Sequence, residues 1–387
     1  MTFVAGVVAM MAAAVIAGAS PAESAQRGPG RGDALAAQDD RAAQIRQRRE
    51  ELLRRREAVR QRQEELRRAR QEVRRGPMAS APFTAMAKIG RQGSLTLVNL
   101  AGNVTITASG GTDVRIDAVK RVWDRTEADA KARLSDIEID VTERQGTVDV
   151  RTVVQRLQRS DAEVDFTIAV PAEASVSVRT GSGDVTITGI RGELRAEAVG
   201  GSIKATSVGQ VRLLRTLAGA VSLENADGGD MTISTLSGAV TIRQLKARAA
   251  DIRTVTGDLT IADSDAERVI AQSLSGRVEL AGRLAPTGRY SLQSQSGDVQ
   301  LIPAGSDDFE LEAATVNGTV RSDYPITVDD RRELARPDGR RGVGRGAGRG
   351  VARAGRGNAR LLRGLSGNGG PLVTLRSFSG DIRIVRR

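Results

Sequence analysis

The chain has 387 residues, with 58 Lys and Arg against 47 Asp and Glu, a net charge of +11. It has no Cys and no His, and only 2% of it is aromatic. These absences exclude a disulfide framework, a cysteine nucleophile, thiolate or imidazole zinc sites and a Ser-His-Asp triad, leaving carboxylate, Lys or Ser-Lys chemistry, or none. Any core must be built from Val, Ile, Leu and Ala, and the length fits two or three domains or one elongated repeat array.

Val4–Gly18 is a continuous apolar run, VAGVVAMMAAAVIAG. It is shorter than the roughly 20 residues of a membrane span and suits the apolar region of an export signal. Small-residue exits stand at Ala17-Gly18-Ala19 and Ala22-Glu23-Ser24. Residues 1–25 are expected to be a signal peptide, with an uncleaved N-terminal anchor as the alternative, and 26–40 a linker. No later segment is apolar enough to span a bilayer, so the mature chain is expected to have no transmembrane span and to be periplasmic, cell-surface or secreted.

Residues 41–75 hold fourteen Arg and six Glu without Gly or Pro. These are strong helix formers, and Glu50→Arg54, Glu51→Arg55 and Glu64→Arg68 are favourable i,i+4 pairs. A long charged helix is expected. Ile45, Leu52, Val59, Leu66 and Val73 recur every seven residues, one apolar position per heptad where a coiled-coil seam needs two. Three readings stay open: a solvated helix, a weak self-association helix, or a dock for an anionic lipid or polymer in which Arg54, Arg55 and Arg56 take part. Residues 76–92 read as a second linker.

From residue 93 the chain turns to Thr, Val, Ile, Ser and Gly with period-2 alternation, the mark of half-buried strands. Leu95–Ile106 and Val114–Val122 read as opening strands. Thr126–Leu134 reads as a short helix capped by Asp124 or Thr126. Ile137–Val141 and Thr147–Val154 return to strand.

A repeat follows: VRTGSGDVTI at 178, LRTLAGAVSL at 214, ISTLSGAVTI at 233, IRTVTGDLTI at 252, AQSLSGRVEL at 271, LQSQSGDVQL at 292 and LRSFSGDIRI at 375, with looser copies at 196 and 313. The shared glycines are Gly183, Gly201, Gly219, Gly238, Gly257, Gly276, Gly297, Gly318 and Gly380, spaced 18 to 21 residues apart until a final jump of 62. Gly102 and Gly146 look like degenerate members. Each glycine marks a turn of positive φ or of close backbone stacking. Two and four residues after it, apolar side chains should form an inward ladder. Three residues before it, eight of nine copies carry Ser or Thr, placed to hydrogen-bond around the turn or to stack. Each repeat supplies two short strands and two turns, and only stacked coils can bury its apolar face. The expected fold is all-β, a β-solenoid or two-sheet rack of about 19-residue repeats.

Residues 330–368 form a Gly/Arg-rich insertion, expected to be disordered. The stretch 336–363 has nine Arg and one Asp. Its candidate polyanion contacts are Arg340, Arg341, Arg345, Arg349, Arg353 and Arg356. The same electrostatics serve an unstructured spacer, an envelope polyanion or nucleic acid; the export signal favours the envelope over nucleic acid.

The repeated Ser/Thr-x-Ser-Gly-Asp-Val-x-Ile unit, with Gly369-Gly370-Pro371 leading to Ser379-Gly380-Asp381-Ile382, resembles the bacterial adhesin-type β-strand-repeat family, the toastrack domain. The resemblance covers roughly 90–326 and 367–387. It implies an exported or envelope-facing, non-enzymatic β-repeat domain, often tied to envelope-stress or sigma-factor regulation, and it brings no catalytic residues. The expected partner is an envelope polyanion or an envelope protein.

Asp184, Asp258, Asp298 and Asp381 follow repeat glycines and could line a Ca²⁺ column. Ser202, Ala220, Ala239, Arg277 and Thr319 interrupt that column, so turn aspartates explain it better. No catalytic cluster stands out, and neither metal nor cofactor is expected. The alternative functions are nucleic-acid binding through the two Arg-rich stretches and a β-helix polysaccharide-active enzyme.

Overall fold

The computed structural model describes residues 77–155, 162–305, 308–327 and 361–386. All belong to one compact unit, Arg70–Arg387. The expected signal segment, the Arg-rich helix at 41–75 and most of the Gly/Arg insertion lie outside the described residues.

The chain opens with β1 (Met78–Lys88), β2 (Ser94–Ala101), β3 (Val104–Ser109) and β4 (Asp113–Trp123), then α1 (Glu127–Leu134). β1 falls inside the stretch expected to be linker. It is a strand because it pairs antiparallel with β4 along its whole length, from Met78↔Trp123 to Lys88↔Asp113. Its Pro82, Gly-free alternation of small residues and distance from any repeat glycine hid it. Thr126 is the cap of α1: its Oγ1 accepts from the Asp129 N–H at 3.1 Å. Asp124 instead accepts from Arg133 at 2.9 Å.

Next come β5 (Ile137–Arg144), β6 (Thr147–Val154), β7 (Ala162–Pro171), β8 (Ser175–Ser182), β9 (Val185–Thr188), β10 (Leu194–Gly200), β11 (Ile203–Val208) and β12 (Val211–Ala218). β5 and β6 are a hairpin closed at Arg144↔Thr147. Gly146, φ +70, sits in that turn and is a hairpin glycine, not a repeat member; Gly102, φ +113, does belong to the repeat.

Four long strands carry the regular coils: β13 (Val221–Ser237), β14 (Val240–Thr256), β15 (Leu259–Ser275) and β16 (Val278–Ser296). They stack parallel and in register, with Val221↔Val240, Val240↔Leu259 and Leu259↔Val278 on one side and Thr235↔Thr254, Thr254↔Ser273 and Ser273↔Ser294 on the other. The chain closes with β17 (Val299–Ala304), β18 (Phe309–Asn317), β19 (Val320–Ser322), β20 (Leu361–Ser366), β21 (Leu372–Ser379) and β22 (Ile382–Ile384). β20 lies at the back of the stretch expected to be disordered. It is ordered there because Leu362 is buried and the strand pairs antiparallel with β18.

The stack does not follow chain order at its ends. β2 lies between β6 and β8, and β3 between β7 and β9. At the other end β21 lies between β16 and β18, and β22 between β17 and β19. Antiparallel strands then close both ends, β4 on β7 and β20 on β18. Thr327 covers the free edge of β20 with two backbone hydrogen bonds to Leu365, at 2.8 and 3.0 Å. Covered ends keep a parallel stack from recruiting further strands.

Inside, the two apolar columns are continuous. All nine residues two places after a repeat glycine are buried, from Val185 to Ile382, and so are eight of the nine four places after, Ser322 being the exception. The corner opposite the glycines is built differently. Ser207, Asn225, Gln244 and Asp263 stack there with φ of 52–53°, a left-handed conformation that non-glycine residues seldom adopt. It lets two successive side chains face water, as Glu224 and Asn225 do, before the inward alternation resumes at Ala226.

The glycine column is the tightest contact. A Cβ built on Gly257 would overlap the carbonyl oxygen of Gly238, and the same holds from Gly183 on Gly102 through Gly297 on Gly276, Gly380 on Gly297 and Gly318 on Gly380. Gly318 alone among the nine repeat glycines has no positive φ. Gly257→Ala combines that overlap with a φ of +147°, so a loss of about 1–3 kcal/mol or more is expected, read as a lowered urea midpoint. Gly229, in open space and without a positive φ, should accept Ala with little change.

Candidate binding groove

The repeat fixes side chains around each glycine by parity. The residue three before it points inward. Thr216, Thr235, Thr254, Ser273, Ser294, Thr315 and Ser377 are buried there. Each hydroxyl donates to the glycine carbonyl of the neighbouring coil, from 2.9 Å for Ser294 to Gly276 and Thr315 to Gly380 up to 3.4 Å for Thr254 to Gly238. Asn99 holds this position in the Gly102 coil; its amide donates to Val164 O at 2.8 Å and accepts from Thr152 at 3.0 Å.

The residue after the glycine points along the turn. Asp184, Asp258, Asp298 and Asp381 each accept the backbone N–H of the next coil, at Ser202, Arg277, Asp381 and Thr319, over 2.8–2.9 Å. These carboxylates tie turn to turn. No cluster of three or more metal-ligating side chains occurs among the described residues.

The residues two and four before the glycine point outward, and they make the groove. The first row is Leu100, Val199, Leu217, Leu236, Val255, Leu274, Phe378 and Val316, all exposed. Gln295 interrupts it between Leu274 and Phe378, and Gly181 between Leu100 and Val199. Beside it runs a polar row with Arg215, Ser234, Arg253, Gln272, Gln293 and Arg376. From Leu217 to Val316 the two rows line an open groove of about 800 Å³ across seven coils; Leu100 and Val199 lie outside it. Contiguous exposed apolar surface on a soluble domain marks an interaction site.

The arginines of that row differ in charge balance. Arg253 is paired with Asp251 at 2.8 Å. Arg376 and Arg363 share Glu312, at 3.5 and 2.6 Å, and the hydrogen bond from Arg363 holds the Glu312 carboxyl below the usual glutamate range. Arg215 has no ion pair among the described residues.

Of the residues singled out from sequence, the nine glycines form the column just described. Arg54, Arg55, Arg56, Arg340, Arg341, Arg345, Arg349, Arg353 and Arg356 lie outside the described residues. The outward apolar row was missed. Its signal is a single repeat column, reading Gly, Leu, Leu, Val, Leu, Gln, Phe down the seven clear copies, next to the inward Ser/Thr column.

The Toastrack DUF4097 family model matches residues 94–342. Among solved structures, a candidate adhesin from Bacteroides fragilis shares 12% identity over 80% of this chain and 97% of its own, with a TM-score of 0.35. A candidate cell adhesion protein from Clostridium sporogenes shares 8% over 80% and 100%, with a TM-score of 0.21. A candidate lipid binding protein from Parabacteroides distasonis shares 12% over 58% and 91%, with a TM-score of 0.36. No curated protein matches.

The Thr319 backbone N–H, then its hydroxyl, hold the Asp381 carboxyl below its ordinary value, with Arg383 adding to the effect. A depressed carboxylate pKa stabilises the fold above the unfolded value of about 3.9 and loses that contribution as pH falls through the folded value. Asp381→Asn should therefore lower stability at pH 7 and flatten its decline on acidification below about pH 4, measured as urea midpoints from pH 7 to pH 2.

Proposed function

This chain belongs to the Toastrack DUF4097 family, and we propose that it is an exported, non-enzymatic scaffold of the cell envelope, an adhesin-like interaction module that holds its partner on the groove. The observation that carries this reading is the exposed apolar row flanked by arginines, set on a face whose backbone groups are already paired coil to coil. A rigid face of repeated strands presents many shallow contacts in fixed register, which suits holding a partner.

Two features of the sequence support the envelope. Val4–Gly18 has the length and composition of an export signal. The Arg-rich stretches 41–75 and 336–363 have the charge to hold an envelope polyanion, with 41–75 also able to associate weakly with itself. No helix among the described residues is long and apolar enough to cross a membrane. A role in envelope-stress regulation fits the same reading.

The test is compartment. Residues 1–30 and the full chain are each fused to a reporter active only outside the cytoplasm, and the mature N-terminus is sequenced. Activity with cleavage between residues 19 and 25 is expected. An inactive reporter with Met1 intact would overturn the envelope reading and turn attention to nucleic acid as the partner of the Arg-rich stretches.

A further inference from the structure

Resting on the reading of the groove as the binding face, we propose that it takes a single-chain anionic amphiphile, with the tail along Leu217, Leu236, Val255 and Leu274 and the headgroup at Gln295 and Arg376. The four apolar rungs stand on consecutive coils in register. At about 4.8 Å per strand they make a continuous track of about 14 Å. The track ends at a polar rung, Gln295, whose amide has no partner among the described residues.

Charge complementarity sets the polarity of the occupant. On the coil beyond Gln295, Arg376 shares the single carboxylate of Glu312 with Arg363, which lies closer to it. Two guanidinium groups on one carboxylate leave a positive charge unbalanced at this end of the track. A phosphate or carboxylate there would meet that charge and the free amide donors, and it would leave the tail over the apolar rungs.

The shape of the surface separates this occupant from others. The backbone N–H and C=O groups along these strands are used in the ladders between coils, so a peptide laid here would gain no strand-type hydrogen bonds. The apolar row is one side chain wide, bordered by the Arg and Gln row on one side and by small residues such as Ser237, Thr256 and Ser275 on the other. That is a line for one chain, narrower than the plane a bilayer surface would cover.

The experiment titrates the full-length protein calorimetrically with dodecyl phosphate below its micelle concentration, alongside octyl phosphate, dodecyl maltoside and inorganic phosphate. Saturable one-to-one binding of dodecyl phosphate is expected, with each two methylenes removed weakening it roughly tenfold. L236S combined with L274S should weaken it at least tenfold. Both positions face water, so circular dichroism and the thermal midpoint should stay unchanged. R376Q should weaken dodecyl phosphate several-fold and leave dodecyl maltoside unaffected. Absence of saturable binding, equal affinity in L236S/L274S, or equal binding of inorganic phosphate would overturn the proposal. So would ladder-dependent binding to phosphatidylglycerol vesicles without binding of dodecyl phosphate, which would assign the face to a membrane. An oligomer dissolved by L236S/L274S in a protein that ignores the amphiphile would assign it to a second copy. Failure here with export intact removes only the ligand; failure of export with binding intact removes only the compartment.

Discussion

One backbone contact governs this molecule: the carbonyl oxygen of each repeat glycine occupies the space where the next glycine would carry a Cβ. Coils can close to strand spacing at this corner only if every member lacks a side chain. The same carbonyl points away from the strand ladders, and the buried Ser or Thr of the next coil donates to it. Steric exclusion and hydrogen-bond demand thus explain two sequence columns three residues apart as one device. From Gly102 to Gly297 the glycine N–H groups complete it, each donating forward to the coil that follows, as Gly238 does to Thr256 O at 2.9 Å.

With that corner fixed, the side chains sort themselves by the side of the glycine on which they stand. Positions two and four beyond the glycine face in, Ser322 apart, and hold Val, Ile, Leu or Ala. Positions two and four before it face out, so the core places no demand on them. Neither set constrains the other, because a strand separates them. The rack therefore buries the even positions after each glycine and exposes those before it.

The glycine spacing makes the stack of coils, the inward ladder and the hydroxyl column legible in the sequence. Irregular features were less so. β1 carries no repeat signature and is ordered by its partner β4, and β20 by β18; pairing between distant segments leaves little trace in local pattern. Gly146 matched the repeat in spacing to Val148, yet it serves a hairpin, because a glycine of positive φ suits both turns. The left-handed corner at Ser207, Asn225, Gln244 and Asp263 escaped notice because only Asn and Asp suggest that conformation. The lengthened Gly276–Gly297 repeat finds its reason in Tyr290, buried beneath the extra residues with its hydroxyl donating to Ala266 O at 2.5 Å and accepting from Ala285 N at 2.8 Å. As for the groove, the inward columns are unbroken two places after the glycine, whereas the outward one is broken by Gly181 and Gln295 and so is harder to see.

The interleaved end of the rack has a kinetic meaning. The coil of β18 and β19 precedes β21 and β22 in the chain, yet β21 and β22 stand between it and the rest of the stack. A zipper that closes coil by coil from Gly183 stalls after Gly297. Its next rung, Gly380, lies 83 residues ahead in sequence, a separation whose closure costs entropy before any contact returns it. Until that rung arrives, β16 and β17 present an unpaired parallel edge, the surface that misassembly would use. Insertion of Leu372–Ile384 is then the latch of the whole domain, held by its neighbours on both sides in the stack.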